Sequence, residues 1–361
     1  MPDHRVRLRP EIASIVPYRQ GRTAAEDAFK LSSNENPFPP LPEVLAAITG
    51  TSLNRYPEGS AAALRQALAA KHGVSAEEVQ VGAGSVSVLA QLISAAAAAT
   101  DEVLYSWRSF EAYPLLVATA GATSVQIPNT LDHGHDLDAM AAAVTDRTRV
   151  IIVCSPNNPT GTTITHGAFV EFLAAVPESV LVILDEAYAE FVTDPEAVRG
   201  PELLAGHPNL VVLRTFSKAY GLAGLRVGYA LGAEYVMDAA RAVAIPLSVT
   251  EPAQRAAVIS LEHEDRLLDQ VAALCERRDR LHAALVEIGW KVPAPQGNFL
   301  WLPTGRNTDA VAAAFADGGI IARGLGEGVR ISVGEEESVE NLLTVAAEVV
   351  GQQESRAATA G

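Results

Sequence analysis

Short apolar runs recur through this sequence at residues 79–82, 103–105, 124–127, 150–154, 180–184, 210–213 and 227–231. Most are continuous rather than alternating: Val150-Ile151-Ile152-Val153 and Val180-Leu181-Val182-Ile183-Leu184 offer no polar side to water. A strand of that kind is buried on both faces, as in a parallel sheet covered by helices. Helix-periodic segments at 60–72, 85–97 and 166–176 separate several of the runs. The pattern predicts an α/β, doubly wound domain with a mostly parallel sheet.

Beyond Ile245-Pro246 the pattern changes to a long, charged, helix-periodic stretch from 251 to about 288. Short strands are expected at 298–302, 320–323 and 329–333, interleaved with helices near 308–315 and 337–349. With 361 residues the chain has room for two cores. The expected division is an N-terminal arm over 1–40 that rides on the small domain, a large domain over 41–250, a small α/β domain over 251–350, and a frayed tail over 351–361.

A formal charge of −16 argues against a nucleic-acid surface, which needs a basic stripe. It does not forbid anionic ligands, because salt screens the net field beyond about 8 Å and a few arginines in a cleft decide what binds there. Cys154 and Cys275 stand too far apart in sequence to suggest a disulfide framework and read as core thiols. No apolar run approaches the roughly 20 residues needed to span a bilayer, and no metal-ligand pattern stands out. A cytoplasmic protein with no membrane partner is the expectation.

Chemistry concentrates where the strands end, which is where ligands gather in a parallel sheet. Lys218 follows the run at 210–213 within Thr215-Phe216-Ser217-Lys218-Ala219-Tyr220-Gly221-Leu222-Ala223-Gly224-Leu225-Arg226. Hydroxyls precede this lysine, glycines follow it, and an arginine comes eight positions later, which describes an anion socket built around an amine. Such a pair would hold an aldehyde cofactor with a phosphate tail, by a Schiff base at one end and charge-assisted hydrogen bonds at the other; pyridoxal 5'-phosphate fits. Gly84, Ser85 and Val86 open a helix and offer a second phosphate seat, although Ser85 also reads as an ordinary helix cap.

Asn158, in Ser155-Pro156-Asn157-Asn158-Pro159-Thr160-Gly161, is either a turn residue or an amide that donates to a phenolate oxygen. Asp185 closes a very apolar strand, so its carboxylate calls for a cation or donors, and a protonated pyridine nitrogen is such a cation. Tyr188 stands three residues on, within reach of the same ring's hydroxyl. Glu186 reads as a solvated or capping neighbour.

Together these motifs resemble the pyridoxal-phosphate fold type I aminotransferases, and more closely the histidinol-phosphate aminotransferase group with its actinobacterial aromatic amino acid aminotransferases. The resemblance runs from Leu31-Ser32-Ser33-Asn34-Glu35-Asn36-Pro37 to Val329-Arg330-Ile331-Ser332-Val333-Gly334, with Asn158-Pro159-Thr160-Gly161, Asp185-Glu186-Ala187-Tyr188 and the Lys218 motif between them. It implies that Lys218 bonds covalently to the cofactor, Asp185 binds the pyridine nitrogen, and Asn158 and Tyr188 hold the ring oxygen. Gly84, Ser85, Val86, Thr215, Ser217 and Arg226 would bind the phosphate. Phe110 falls where the family stacks an aromatic ring, often tyrosine, on the cofactor.

The resemblance further implies a homodimer with a shared site, in which Tyr56 reaches the neighbouring subunit's cofactor phosphate. Arg330 would take the substrate's anionic group, Arg323 matches a second arginine used for substrate phosphate, and Tyr18 and Asn36 would line the substrate entry. The implied reaction is a ping-pong transamination of amino acids and 2-oxo acids. The run Trp107-Arg108-Ser109-Phe110-Glu111-Ala112-Tyr113 is similar to the aromatic enzymes, whereas Arg323 keeps histidinol phosphate in play. A ligand-sensing, non-catalytic module is the remote alternative; no additional helix-turn-helix domain is apparent.

Overall fold

The structure, a computed structural model, describes residues 6–15, 17 and 28–360. In chain order its strands are β1 (Phe29–Lys30), β2 (Val79–Gly82), β3 (Glu102–Trp107), β4 (Thr123–Pro128), β5 (Thr148–Cys154), β6 (Leu181–Asp185), β7 (Leu210–Thr215), β8 (Gly228–Gly232), β9 (Phe299–Pro303), β10 (Ile320–Ile321), β11 (Arg323–Gly324) and β12 (Gly328–Ser332). Seven of them form one sheet in the order β2-β8-β7-β6-β5-β3-β4. Only β8 runs against its neighbours; the pairs from β7 to β4 are all parallel. The fold is α/β with a mostly parallel central sheet, and each apolar run expected to be a strand contributes to it.

Burial on both faces follows from the continuous apolar pattern. Val150, Ile152 and Cys154 of β5 join a core with Val88, Leu92 and Val117, on the helices Ser85–Ala96 and Ala112–Ala120. Ile151 and Val153 point the other way, into a core with Phe169 and Phe172 on the helix His166–Ala175. Each such valine or isoleucine contributes roughly 1.5–3 kcal/mol by leaving water, so the central strands fix the register of everything built at their ends.

A second, antiparallel sheet has the order β11-β12-β9, and β1 pairs in parallel with β10. The N-terminal stretch is thereby tied to residues near 320 by Phe29 opposite Ile320 and Lys30 opposite Ile321. The stretch read as one helix from 251 to about 288 is two, Glu251–Glu262 and Glu264–Ile288, joined at His263. The second ends at Gly289, whose φ of 112° is open to glycine and costly for other residues. The last helix runs from Ser338 to Ala360, through the stretch expected to be a frayed tail. Ala, Gln and Glu are all strong helix formers, so a low-complexity appearance there conceals a continuous helical pattern.

Candidate active site

The carboxyl ends of β5, β6 and β7 open into a cavity of about 750 Å³, lined among others by Asn158, Asp185, Thr215 and Lys218. Its floor is the sheet edge, and each functional side chain stands within four residues of a strand end. Asp185, the last residue of β6, is buried. Its Oδ2 accepts a 2.7 Å hydrogen bond from the Tyr113 hydroxyl and its Oδ1 accepts from the Ala187 amide at 3.2 Å. Burial pushes the carboxyl up to about 6, with the Tyr113 and Ala187 bonds pulling the other way. Tyr113, on the helix after β3, was not singled out by the sequence. Nothing local marks it, since it meets Asp185 across 72 positions.

Lys218 Nζ donates to the backbone carbonyls of Ser33 at 3.0 Å and Asn34 at 3.1 Å. Burial pushes the amine down to about 7, helped by the nearby Arg330 and Arg226 charges and opposed by Glu35. An amine poised there exchanges protons near neutral pH, as a general acid and base must.

Beside it lies an anion cup. Arg226 has a φ of 55°, a left-handed backbone rare for arginine, and its Nη1 donates to Ser217 Oγ at 3.2 Å and to the Ala223 carbonyl at 2.9 Å. Gly84, with a φ of 84°, sits against that guanidinium, and a Cβ at Gly84 would run into Arg226 Nη2. The helix Ser85–Ala96 starts here with no side-chain cap of its own, so Ser85 is not an ordinary N-cap. Ser85, Val86, Thr215, Ser217 and Arg226 all line the same cavity.

The opposite wall comes from the antiparallel sheet and the N-terminal stretch. Arg330, buried on β12, donates from Nη1 to Asn158 Oδ1 at 2.6 Å and from Nη2 to the Ser32 carbonyl at 2.7 Å. Holding the Asn158 oxygen in this way leaves that amide's N–H₂ as the donor on the other side. The Tyr188 hydroxyl accepts from Asn34 Nδ2 at 2.9 Å, its ring lies edge-on to Phe299, and burial raises its pKa. Phe110 lines the cavity and meets Tyr113 edge to face, with ring centroids 5.6 Å apart. Arg323 also lines it, and its Nη2 pairs with Glu111 at 3.1 Å.

Two sequence readings change. Asn36 does not line the cavity: its Nδ2 donates to the Ala219 carbonyl at 3.0 Å and that of Lys218 at 3.4 Å, and its Oδ1 accepts from the Phe38 amide, so it buttresses the lysine loop. Glu186 is neither solvated nor a cap. It is buried, ion-paired with Arg214 at 2.7 Å, and accepts from the Gly200 amide at 2.8 Å. The register that sets Asp185 beside Leu213 brings the next residues, Glu186 and Arg214, together. Tyr18 lies outside the described residues. Tyr56 is 86% exposed and away from the cavity. Among the described residues no cluster of His, Cys, Asp or Glu is set to hold a metal ion, and no helix is long and apolar enough to cross a membrane.

A lysine, a buried carboxylate and an anion cup in one cavity suit a charged, ring-bearing cofactor, and comparison with known proteins agrees. The family described as Aminotransferase class I and II matches residues 26–345. The chain belongs to that family. Among curated relatives, the aromatic amino acid aminotransferase of Streptomyces avermitilis is 50% identical over 345 residues, covering 94% of this chain and 96% of the relative. That of Cutibacterium acnes is 51% identical, covering 90% and 94%. Among solved structures, histidinol-phosphate aminotransferase from Sinorhizobium meliloti in complex with pyridoxal-5'-phosphate superposes with a TM-score of 0.87 at 27% identity, covering 97% of this chain and 99% of that one. The fold is therefore shared with a solved aminotransferase.

Proposed function

We propose that this protein is a pyridoxal 5'-phosphate-dependent aromatic amino acid aminotransferase. The observation that carries the reading is the convergence of Lys218, Asp185, Asn158 and Arg330 on one cavity, in a chain about 50% identical to aromatic amino acid aminotransferases over nearly its full length. The donor set fits the cofactor. Gly84 leaves the space beside Arg226 that a Cβ would fill, the uncapped helix start suits a phosphate, and Asp185 is a buried carboxylate suited to a pyridinium.

In this reading Lys218 would hold the cofactor through its aldehyde, and Gly84, Ser85, Val86, Thr215, Ser217 and Arg226 would hold its phosphate. Asn158 and Tyr188 would hold the ring oxygen, and Phe110 would offer the cofactor ring a stacking partner. When bound, pyridoxal phosphate supplies a carbonyl that bonds reversibly to amines and a ring that accepts electrons. Asp185, kept in place by Tyr113, sustains a positive charge on the ring nitrogen. Arg330 takes the substrate α-carboxylate in its planar fork and so aims the α-carbon at Lys218. Once the substrate's own amine has displaced it from the aldehyde, the freed Lys218 Nζ would take the α-proton and later return one, its depressed pKa allowing both roles near neutrality. The reading extends to a cytoplasmic homodimer in which Tyr56 reaches across to the partner's phosphate site, with residues 1–40 riding on a small domain at 251–350 and the large domain at 41–250.

Arg323 favours a second reading, a histidinol-phosphate aminotransferase, because it adds a cation to the cavity. Steady-state kinetics with phenylpyruvate, 4-hydroxyphenylpyruvate and imidazole acetol phosphate as acceptors separates the two. The aromatic reading expects kcat/KM for the two aromatic acids to exceed that for the phosphate ester by about tenfold or more; the reverse order would overturn it.

A further inference from the structure

Arg323 and Arg330 face each other across β11 and β12, and Trp301 follows on β9. Residues directly opposite in antiparallel strands send their side chains to one face, so both arginines project toward the cavity that both line. Their partners differ. Arg330 bonds to an amide oxygen and a backbone carbonyl. Arg323 pairs with a carboxylate, both oxygens of Glu111 lying within 3.2 Å of its Nη2. Glu111 occupies the N-cap position of the helix Ala112–Ala120, between the cavity-lining Phe110 and Ala112. The pair is largely shielded from water, with side-chain exposures of 16% and 27%.

We propose that Glu111 is a specificity residue that, by neutralising Arg323, turns away substrates carrying a phosphate or a second anionic group. The proposal rests on the reading that Arg330 takes the substrate's anionic group. An aromatic amino acid brings one carboxylate for Arg330 and a neutral side chain, so it asks nothing of Arg323. A dianionic phosphate gains from a second guanidinium, but here it meets one already paired and a carboxylate of its own sign beside it. Rejection therefore comes mainly from a second guanidinium already engaged by Glu111, so that freeing Arg323 should restore the gain.

The test uses the holoenzyme with Glu111→Gln, with Glu111→Ala as a second removal of the charge, and with the double variant E111Q/R323Q. Two amine-free probes are titrated calorimetrically: phenyl phosphate, a dianion, and hydrocinnamate, a monoanion. In both single variants the affinity for phenyl phosphate relative to hydrocinnamate should rise about tenfold or more over wild type, and the double variant should lose that gain. The ratio of kcat/KM for histidinol phosphate over phenylalanine should move the same way. A binding ratio within about twofold of wild type in the single variants, or a gain that survives loss of Arg323, overturns the proposal. If wild type transaminates neither amine, the functional reading has failed, and the binding ratios still decide the role of Glu111.

Discussion

The two walls of the cavity are built by opposite means. On the floor, Asn158, Asp185, Thr215 and Lys218 each stand within a few residues of a buried parallel strand, so the sheet places them. On the facing wall, every placement is long-range: Arg330 reaches Asn158 across 172 positions and Ser32 across 298, and Asn34 reaches Tyr188 across 154. The floor is fixed by the core of the large sheet, whereas the wall, carried on β12 and the N-terminal stretch, is tied to that floor by hydrogen bonds that span the cavity. A rigid floor suits groups that hold a cofactor; a wall tied by few bonds suits groups that select and clamp a substrate.

Breaking the bridge between the walls should have the largest effect. Arg330→Ala removes the substrate clamp and the partner of Asn158 together. It should lower kcat/KM for phenylalanine by roughly 10²–10³-fold, as expected when the guanidinium proposed to pair with the substrate carboxylate is removed from a buried site. Arg330→Lys should recover only part, because an ammonium cannot copy the fork. An effect under tenfold would mean that the wall does not clamp the substrate.

Beneath the floor, Glu186 joins Arg214, which also contacts Glu190 at 3.3 Å. Glu186→Ala should destabilise the protein by about 3 kcal/mol, read from denaturant unfolding, since it leaves the buried guanidinium with Glu190 alone and the Gly200 amide without its acceptor. Arg330→Ala should move the unfolding midpoint less. Equal shifts would remove the distinction between a stability floor and a binding wall.

A smaller change sharpens the floor itself. Tyr113→Phe deletes the hydroxyl that donates to Asp185. The lost bond to a charged group corresponds to roughly 1.5–3 kcal/mol, so kcat should fall about tenfold and the carboxyl of Asp185 should titrate still higher. The pH profile of the cofactor's absorbance reads this directly.

The smallest effect concerns the layer behind the floor. His72 Nε2 shares a 2.9 Å hydrogen bond with the Tyr229 hydroxyl, and burial, with Arg214 and Lys71 nearby, pushes its imidazole down to about 4. The unfolded imidazole titrates near 6.5, so between about pH 6.5 and 4 the unfolded chain binds the proton first and stability falls as pH falls. Asp185, held up at about 6, acts in the opposite sense, because its folded form takes up a proton where the unfolded carboxyl does not. Thermal midpoints of wild type and His72→Gln at pH 7 and pH 5 isolate the histidine. Wild type should lose more on acidification, and parallel losses would exclude His72.

The contrast between the walls also explains what the sequence could disclose. Strands β5 to β7 announce themselves as unbroken apolar runs, and a lone Asp185 or Lys218 at such an end is conspicuous. The clustering of Gly84, Ser217 and Arg226 was legible because glycine, serine and arginine at fixed spacing have few other uses. Tyr113, Asn34 and Glu111 carry no such mark; only folding brings them to Asp185, Tyr188 and Arg323. Glu186 misleads because a charged residue after a strand is ordinarily solvated, and its partner lies on the neighbouring strand. Asn36 misleads for a related reason: read as lining the substrate entry, its amide is spent instead on the backbone carbonyls of the lysine loop.

The central claim, that Lys218 is the amine that holds the cofactor and moves the proton, is open to one direct measurement. The chain has only four lysines, Lys218 and Lys30, Lys71 and Lys291. Reducing the holoenzyme with borohydride and mapping the modified peptide should place the pyridoxyl label on Lys218 alone, and Lys218→Ala should give an unlabelled protein. A label on Lys30, Lys71 or Lys291 in wild type, or a Lys218→Ala protein that still transaminates phenylalanine at the wild-type rate, would contradict it.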